Sequence, residues 1–178
     1  QVFCRVAHAK KENRMVFDLN DPMAVEVVQT YLQSARLQVH RVGLTSGSFD
    51  LIHFHHALYF IRCRRYCDVL IVGVDSDEFV RERKGEGRPI TYDSRRVMMV
   101  DMIKPVTFAF IMNNLKDFRT AARLTTPSVI FKSDAFLGRE SEIVCKEYAG
   151  EIRIIRDVVD HSSTTEILRQ AAKIVASE

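Results

Sequence analysis

The stretch Ser46-Gly47-Ser48-Phe49-Asp50-Leu51-Ile52-His53-Phe54-His55-His56 follows directly on the strand-like run Val39-His40-Arg41-Val42-Gly43-Leu44-Thr45. An apolar run that ends in a glycine turn and then enters a helix is a place where a sheet can present backbone to a ligand. His53 and His56, three apart, share one face of a helix expected over about 53–66. A helix start offers unpaired N–H groups and a partial positive charge, which favours phosphate. Imidazoles there would hold a triphosphate and stabilise charge as one phosphate is attacked. Gly47 reads as the position where the backbone comes close to a phosphate.

Working outward, the chain alternates strands and helices. Residues 1–20 are mixed, and Met15-Val16-Phe17 fits either a short strand or a docking segment. Asp21-Pro22 is a helix start, with Asp as cap and Pro in the first turn. Val25, Val28, Tyr31, Leu32 and Ala35 then recur at a helical period, ahead of a strand at about 38–45. Asp68-Val69-Leu70-Ile71-Val72-Gly73-Val74 is a continuous apolar run, as in a strand covered on both faces. A short helix from Asp77, a loop Lys84–Pro89 and a helix from Tyr92 to Ile103 come next. Strands at 106–111, 128–132 and 152–155 precede a last helix at about 164–176. This pattern predicts an α/β fold, a Rossmann-like doubly wound parallel sheet of about five strands with helices on both faces. Residues 1–21 form an N-terminal extension and 22–178 a single domain in this reading. Ligands of such sheets bind beyond the carboxyl ends of the strands, at the switch point, which is where the Gly47 turn falls.

Composition sets the class. A chain of 178 residues, 47% hydrophobic and 28% charged, suits one globular domain with a sizeable core. A net charge of +3 makes no case for nucleic acid. Arg62, Arg64 and Arg65 read as a solvated helix edge, whereas Arg81, Arg83, Lys84 and Arg88 surround a loop where a substrate phosphate would be met. Cys4, Cys63, Cys67 and Cys145 show neither disulfide nor zinc spacing, so core or surface thiols in a reducing compartment are expected. No apolar run reaches the length of a membrane span and no signal peptide is visible, so the expected setting is cytoplasmic and away from membranes. The chain opens on Gln1 without an initiating Met, as a trimmed chain or a piece of something larger would.

Gly47-x-Phe49-Asp50-x-x-His53-x-x-His56 resembles the G-x-F-D-x-x-H-x-G-H signature of the cytidylyltransferase-like nucleotidyltransferases. Those enzymes move a nucleotidyl group from ATP or CTP to a phosphorylated alcohol or sugar and release pyrophosphate. The resemblance implies catalytic roles for His53, His56 and Lys84, the lysine on a mobile loop after the second strand. It implies nucleotide contacts from Ser46, Gly47, Ser48, Phe49, His55, Arg95, Ser163, Thr164 and Thr165, and acceptor contacts from Asp77 and Lys132. Mg2+ would arrive with the triphosphate, with no protein ligand assigned to it, and a homodimer is implied because relatives pair. Phe49 doubles as a packing residue, Asp50 reads as a helix cap or as a group that orients the turn, and Arg96 reads as a surface residue. His161-Ser162-Ser163-Thr164-Thr165-Glu166 is similar to a late S-T-T motif, although Ser163-x-x-Glu166 is also a capping box. Val158 stands where the glycerol-phosphate cytidylyltransferase branch has Arg. That difference, the early helix at 22–36 and Ile130-Phe131-Lys132-Ser133-Asp134 favour the heptose-1-phosphate adenylyltransferase branch, hence ATP over CTP.

His55 replaces the family's Gly. At about 100° per residue its side chain projects beside His56. There it would narrow the nucleotide pocket, shift the nucleotide, add a third cation, or mark a chain that binds nucleotide without turning it over. A metal site is disfavoured, because ligands at i, i+2 and i+3 of one helix converge poorly on a tetrahedral ion. A nucleic-acid site lacks interleaved exposed aromatics for base stacking.

Overall fold

Residues 15–138, 143–156 and 164–177 are described by the computed structural model. The order of elements is β1 (Met15–Val16), α1 (Pro22–Leu37), β2 (Val42–Gly47), α2 (Phe54–Cys63), β3 (Val69–Asp75), α3 (Asp77–Lys84), α4 (Asp93–Asp101), β4 (Phe108–Met112), α5 (Leu115–Thr125), β5 (Val129–Ser133), β6 (Glu151–Ile155) and α6 (Thr164–Val175). The sheet order is β1-β4-β3-β2-β5-β6, and every neighbouring pair is parallel. The chain steps outward from β2 to β3 and β4, then returns across the sheet to β5 and β6 on the other side of β2. The switch point therefore lies where β2 and β5 end side by side.

All seven residues of β3 are buried, as its unbroken apolar run requires. Alternate residues face opposite cores. Val69 and Ile71 join Val28 and Leu32 of α1 and Phe118 and Ala122 of α5. Leu70, Val72 and Val74 join Phe60 and Cys63 of α2 and Val97 and Val100 of α4. Each such fully buried large side chain contributes roughly 1.5–3 kcal/mol. Helices thus cover both faces, and the doubly wound parallel sheet expected from the sequence is the fold observed.

Several local expectations change. Met15 and Val16 form a strand, paired with Phe108 and Ala109, and Phe17 is buried in the adjoining core. The strand expected from 38 starts at Val42, because the N–H groups of Gln38, Val39 and His40 close the end of α1 on the Ala35 and Arg36 carbonyls. The histidine helix runs 54–63 rather than 53–66. Helix α5 was not foreseen. Asn114 caps it by accepting from the Lys116 and Asp117 N–H groups, and Phe118, Ala121, Ala122 and Thr125 are its buried face. Cys63, Cys67 and Cys145 are buried free thiols, and burial raises the pKa of Cys67 to about 11, so it is an inert core group. Among the described residues no helix is long and apolar enough to cross a membrane.

Candidate active site

Strand β2 delivers Ser46 and Gly47 to the switch point, and the next three residues turn inward, with Ser48, Phe49 and Asp50 all buried. Phe49 holds φ at 46°, a left-handed conformation that costs a bulky residue about 1–3 kcal/mol. Burial of its ring offsets that cost: it lies 5.1 Å from Phe60 and 5.3 Å, edge to face, from His56. A Cβ on Gly47 would sit 3.0 Å from this ring, so the glycine makes room for Phe49 whatever ligand approaches. Asp50 is not the cap of α2. Its Oδ1 accepts from the N–H groups of Ile90 (2.8 Å) and Thr91 (3.1 Å), and its Oδ2 from Arg88 (2.9 Å). It holds the returning loop at 88–91, a role different from the helix cap expected of it.

His53 is the cap itself. Its backbone is extended and its Nδ1 accepts from the His55 N–H at 3.3 Å. The rings of His53 and His56 lie 4.0 Å apart at 31°, so the i, i+3 pair comes together as expected, and the His55 ring stands 5.7 Å from His53. His56 is pushed down to a pKa of about 3, first by burial, then by His53 and Lys84, with the Leu51 carbonyl working the other way. It is a neutral imidazole at pH 7, with Nδ1 buried and making no hydrogen bond.

Lys84 is the last residue of α3, not part of the loop, and Gly85 caps the helix behind it with φ 87°. Solvent reaches its side chain, yet protein crowding lowers its pKa; Asp75 and Asp50 oppose that shift, Arg83 and Arg88 add to it. From β5, Lys132 donates to Ser46 Oγ at 3.3 Å across the switch point. Its ammonium lies 4.6 Å from the Phe118 ring centre and 5.4 Å from that of Phe136. Burial brings its pKa to about 8, against a raising influence of Asp75.

Two residues carry more of this architecture than the sequence suggested. Arg96, expected at the surface, is fully buried. It donates to the carbonyls of Thr91 (2.7 Å), Ser48 and Asp75 (2.7 Å) and to the Asp77 carboxylate (2.7 Å), tying together the ends of β2 and β3, α3 and the loop before α4. Its spacing to Val97 and Val100, both buried, was the available signal. Asp75 is 1% exposed and accepts from Ser48 Oγ (3.2 Å) and Arg83 (2.9 Å). A carboxylate closing an otherwise apolar strand was its signal. Asp77 is engaged by Arg96 and the Asp93 N–H (2.8 Å). Arg95 is exposed, 5.8 Å over the Tyr92 ring. Thr165, on the first turn of α6, accepts from Arg88 at 3.3 Å, which links the late motif to Asp50 through one arginine. His161, Ser162 and Ser163 lie outside the described residues. Arg62 and Arg64 donate to the carbonyls of Arg156 and Cys67, as structural edges do.

The parallel sheet brings imidazoles and a glycine turn to its switch point, where α/β proteins of this class bind their ligands. The profile of the cytidylyltransferase-like family matches residues 44–170, and the chain belongs to that family. It is similar to the bifunctional protein HldE of Desulfatibacillum aliphaticivorans, 35% identical over 79% of this chain and 29% of that protein. HldE of Campylobacter fetus is 33% identical over 75% of this chain and 29% of its own length. The chain thus spans under a third of these relatives. A lipopolysaccharide core biosynthesis protein from Thermoplasma volcanium has a similar fold, with TM-score 0.53 and 21% identity over 67% of this chain and 97% of that one.

Proposed function

We propose that the chain transfers a nucleotidyl group, AMP from ATP ahead of CMP from CTP, to a phosphorylated sugar or small alcohol and releases pyrophosphate. The observation that supports this reading is the His53–His56 pair, with rings 4.0 Å apart at the start of α2 and Lys84 near enough for its charge to act on His56, while Lys132 reaches Ser46 at the end of β2. An oxygen of the acceptor phosphate attacks the α-phosphorus, a new P–O bond forms, and the bond to the β-phosphate oxygen breaks as pyrophosphate leaves. Such a transfer asks the protein for positioning and for charge stabilisation rather than covalent chemistry. His53 and His56 act on the transferring phosphate, His56 as a neutral imidazole. Lys84 holds the triphosphate. Arg95, Ser163, Thr164 and Thr165 take the remaining oxygens, Ser46, Gly47 and Ser48 line the nucleotide, and Asp77 and Lys132 face the acceptor.

Among the described residues no group of three His, Cys, Asp or Glu side chains is placed to hold a metal ion. Mg2+ is assigned to the phosphates, where it would neutralise charge. A cytoplasmic homodimer belongs to the same reading.

His55 favours a second reading, a nucleotide-binding protein that no longer turns over, since its ring stands beside the histidine pair. Pyrophosphate release from ATP and CTP against a panel of sugar and polyol phosphates decides between them. Turnover with one acceptor supports transfer. Binding of triphosphate without consumption, restored to turnover by His55→Gly, supports the second reading and overturns the first.

A further inference from the structure

Asp75 ends β3 in the middle of the basic cluster. Its Oδ2 accepts from Ser48 and Arg83, but its Oδ1 is buried and makes no hydrogen bond. A buried carboxylate oxygen left unsatisfied is unfavourable and needs a reason beyond packing. Arg83, near the end of α3, pairs with this carboxylate at 2.9 Å, and Lys132 of β5, which donates to Ser46 on the neighbouring strand, and Lys84 both lie near enough to feel its charge. Apart from burial, Asp75 is the strongest influence on both lysines, and it favours their charged forms. Arg83 works against it on both. Asp50 and Arg88 act on Lys84 alone, and Cys145 on Lys132 alone.

We propose that Asp75 is a positioning residue, the resident counter-anion that anchors Arg83 and keeps the buried Lys132 cationic until a phosphorylated ligand replaces it. Desolvation alone drives a buried lysine towards the neutral amine, which has no charge to offer a phosphate. A fixed carboxylate inside the cluster prevents that. It is also weak enough a partner, with one oxygen unused, to surrender the cations to a polyphosphate of higher charge. The hand-over to phosphate rests on the nucleotidyl-transfer reading; the counter-ion role does not.

The test follows the lysine Cε resonances of 13C-labelled protein against pH, with Lys132→Arg assigning the Lys132 signal. Asp75→Asn keeps the shape and the acceptor oxygen while removing the charge. Its Lys132 midpoint falls by about one pH unit or more. Arg83→Gln alters a half-exposed side chain and moves the midpoint upward, so the proposal stays testable if the Asp75 variant fails to fold. An Asp75→Asn midpoint that stays put or rises overturns the counter-ion role, as does an unmoved midpoint in Arg83→Gln. With saturating inorganic pyrophosphate the gap between wild type and Asp75→Asn closes; a gap that persists overturns the hand-over. Lysine shifts as expected without turnover on any acceptor would instead sink the transfer reading and leave the counter-ion standing.

Discussion

An imidazole with the ordinary pKa of about 6.5 is already mostly neutral at pH 7, and burial beside His53 and Lys84 takes His56 further from its charged form. Between pH 6.5 and 3 the unfolded chain binds a proton at this residue and the folded chain does not, so stability falls as the pH drops through that window. Wild type therefore loses on the order of 1–3 kcal/mol more than His56→Gln between pH 7 and 4.5, measured by urea unfolding at each pH. Equal losses in the two proteins would show that the site leaves His56 at its ordinary pKa. On the nucleotidyl-transfer reading, His56→Ala removes a group that stabilises the transferring phosphate, for which losses of about 10²–10³ in turnover are usual. The protein should stay folded at pH 7 with a modestly lowered urea midpoint, because the ring packed edge to face on Phe49 has gone. Unchanged turnover would remove His56 from the mechanism.

At the scale of elements, the ends of β2, β3 and α3 and the loop before α4 are held by one guanidinium. Arg96→Met leaves the Asp77 carboxylate with only the Asp93 N–H and removes the arginine donor from three carbonyls, and costs about 3–5 kcal/mol. Arg96→Lys recovers little of it, since a single ammonium cannot span the positions of a planar fork. Urea unfolding reads both; a loss under 1 kcal/mol for Met would mean that solvent or other side chains replace the arginine readily. Gly47→Ala brings a methyl to 3.0 Å from the Phe49 ring, and the same measurement reads whether that ring can give way. Elements with a strong apolar signal were legible: α1 from its period and cap, β3 from its unbroken run, and the His53–His56 face from spacing alone. Helix α5 was not, because Ala121, Ala122 and Thr125 fill its inner face and small or polar residues give a weak period. The partners of Asp50 and Arg96 were hidden for a different reason. Their bonds cross 38 and 48 residues of chain, and a local pattern carries no record of which distant carbonyl or arginine will arrive.

For the molecule as a whole, stability is concentrated in the two cores on either side of the sheet, while no residue of α6 is buried and Arg88 ties its first turn to the site through Thr165. Local opening costs least where few apolar contacts must be broken. In native-state hydrogen exchange the amides of β2, β3 and β4 should then exchange only through global unfolding, and those of α6 much sooner. A triphosphate bound at the switch point would touch the end of α3 through Lys84 and the start of α6 through Thr164 and Thr165. The proposed site therefore predicts a patterned response to a non-hydrolysable triphosphate. Protection should rise at the last turn of α3 and the first turn of α6, and stay flat along α1, whose Val28, Leu32 and Ala35 pack against the sheet away from the histidines. Protection that rises equally in α1 would point to simple stabilisation of the whole fold, and a response centred on α1 would put the nucleotide elsewhere.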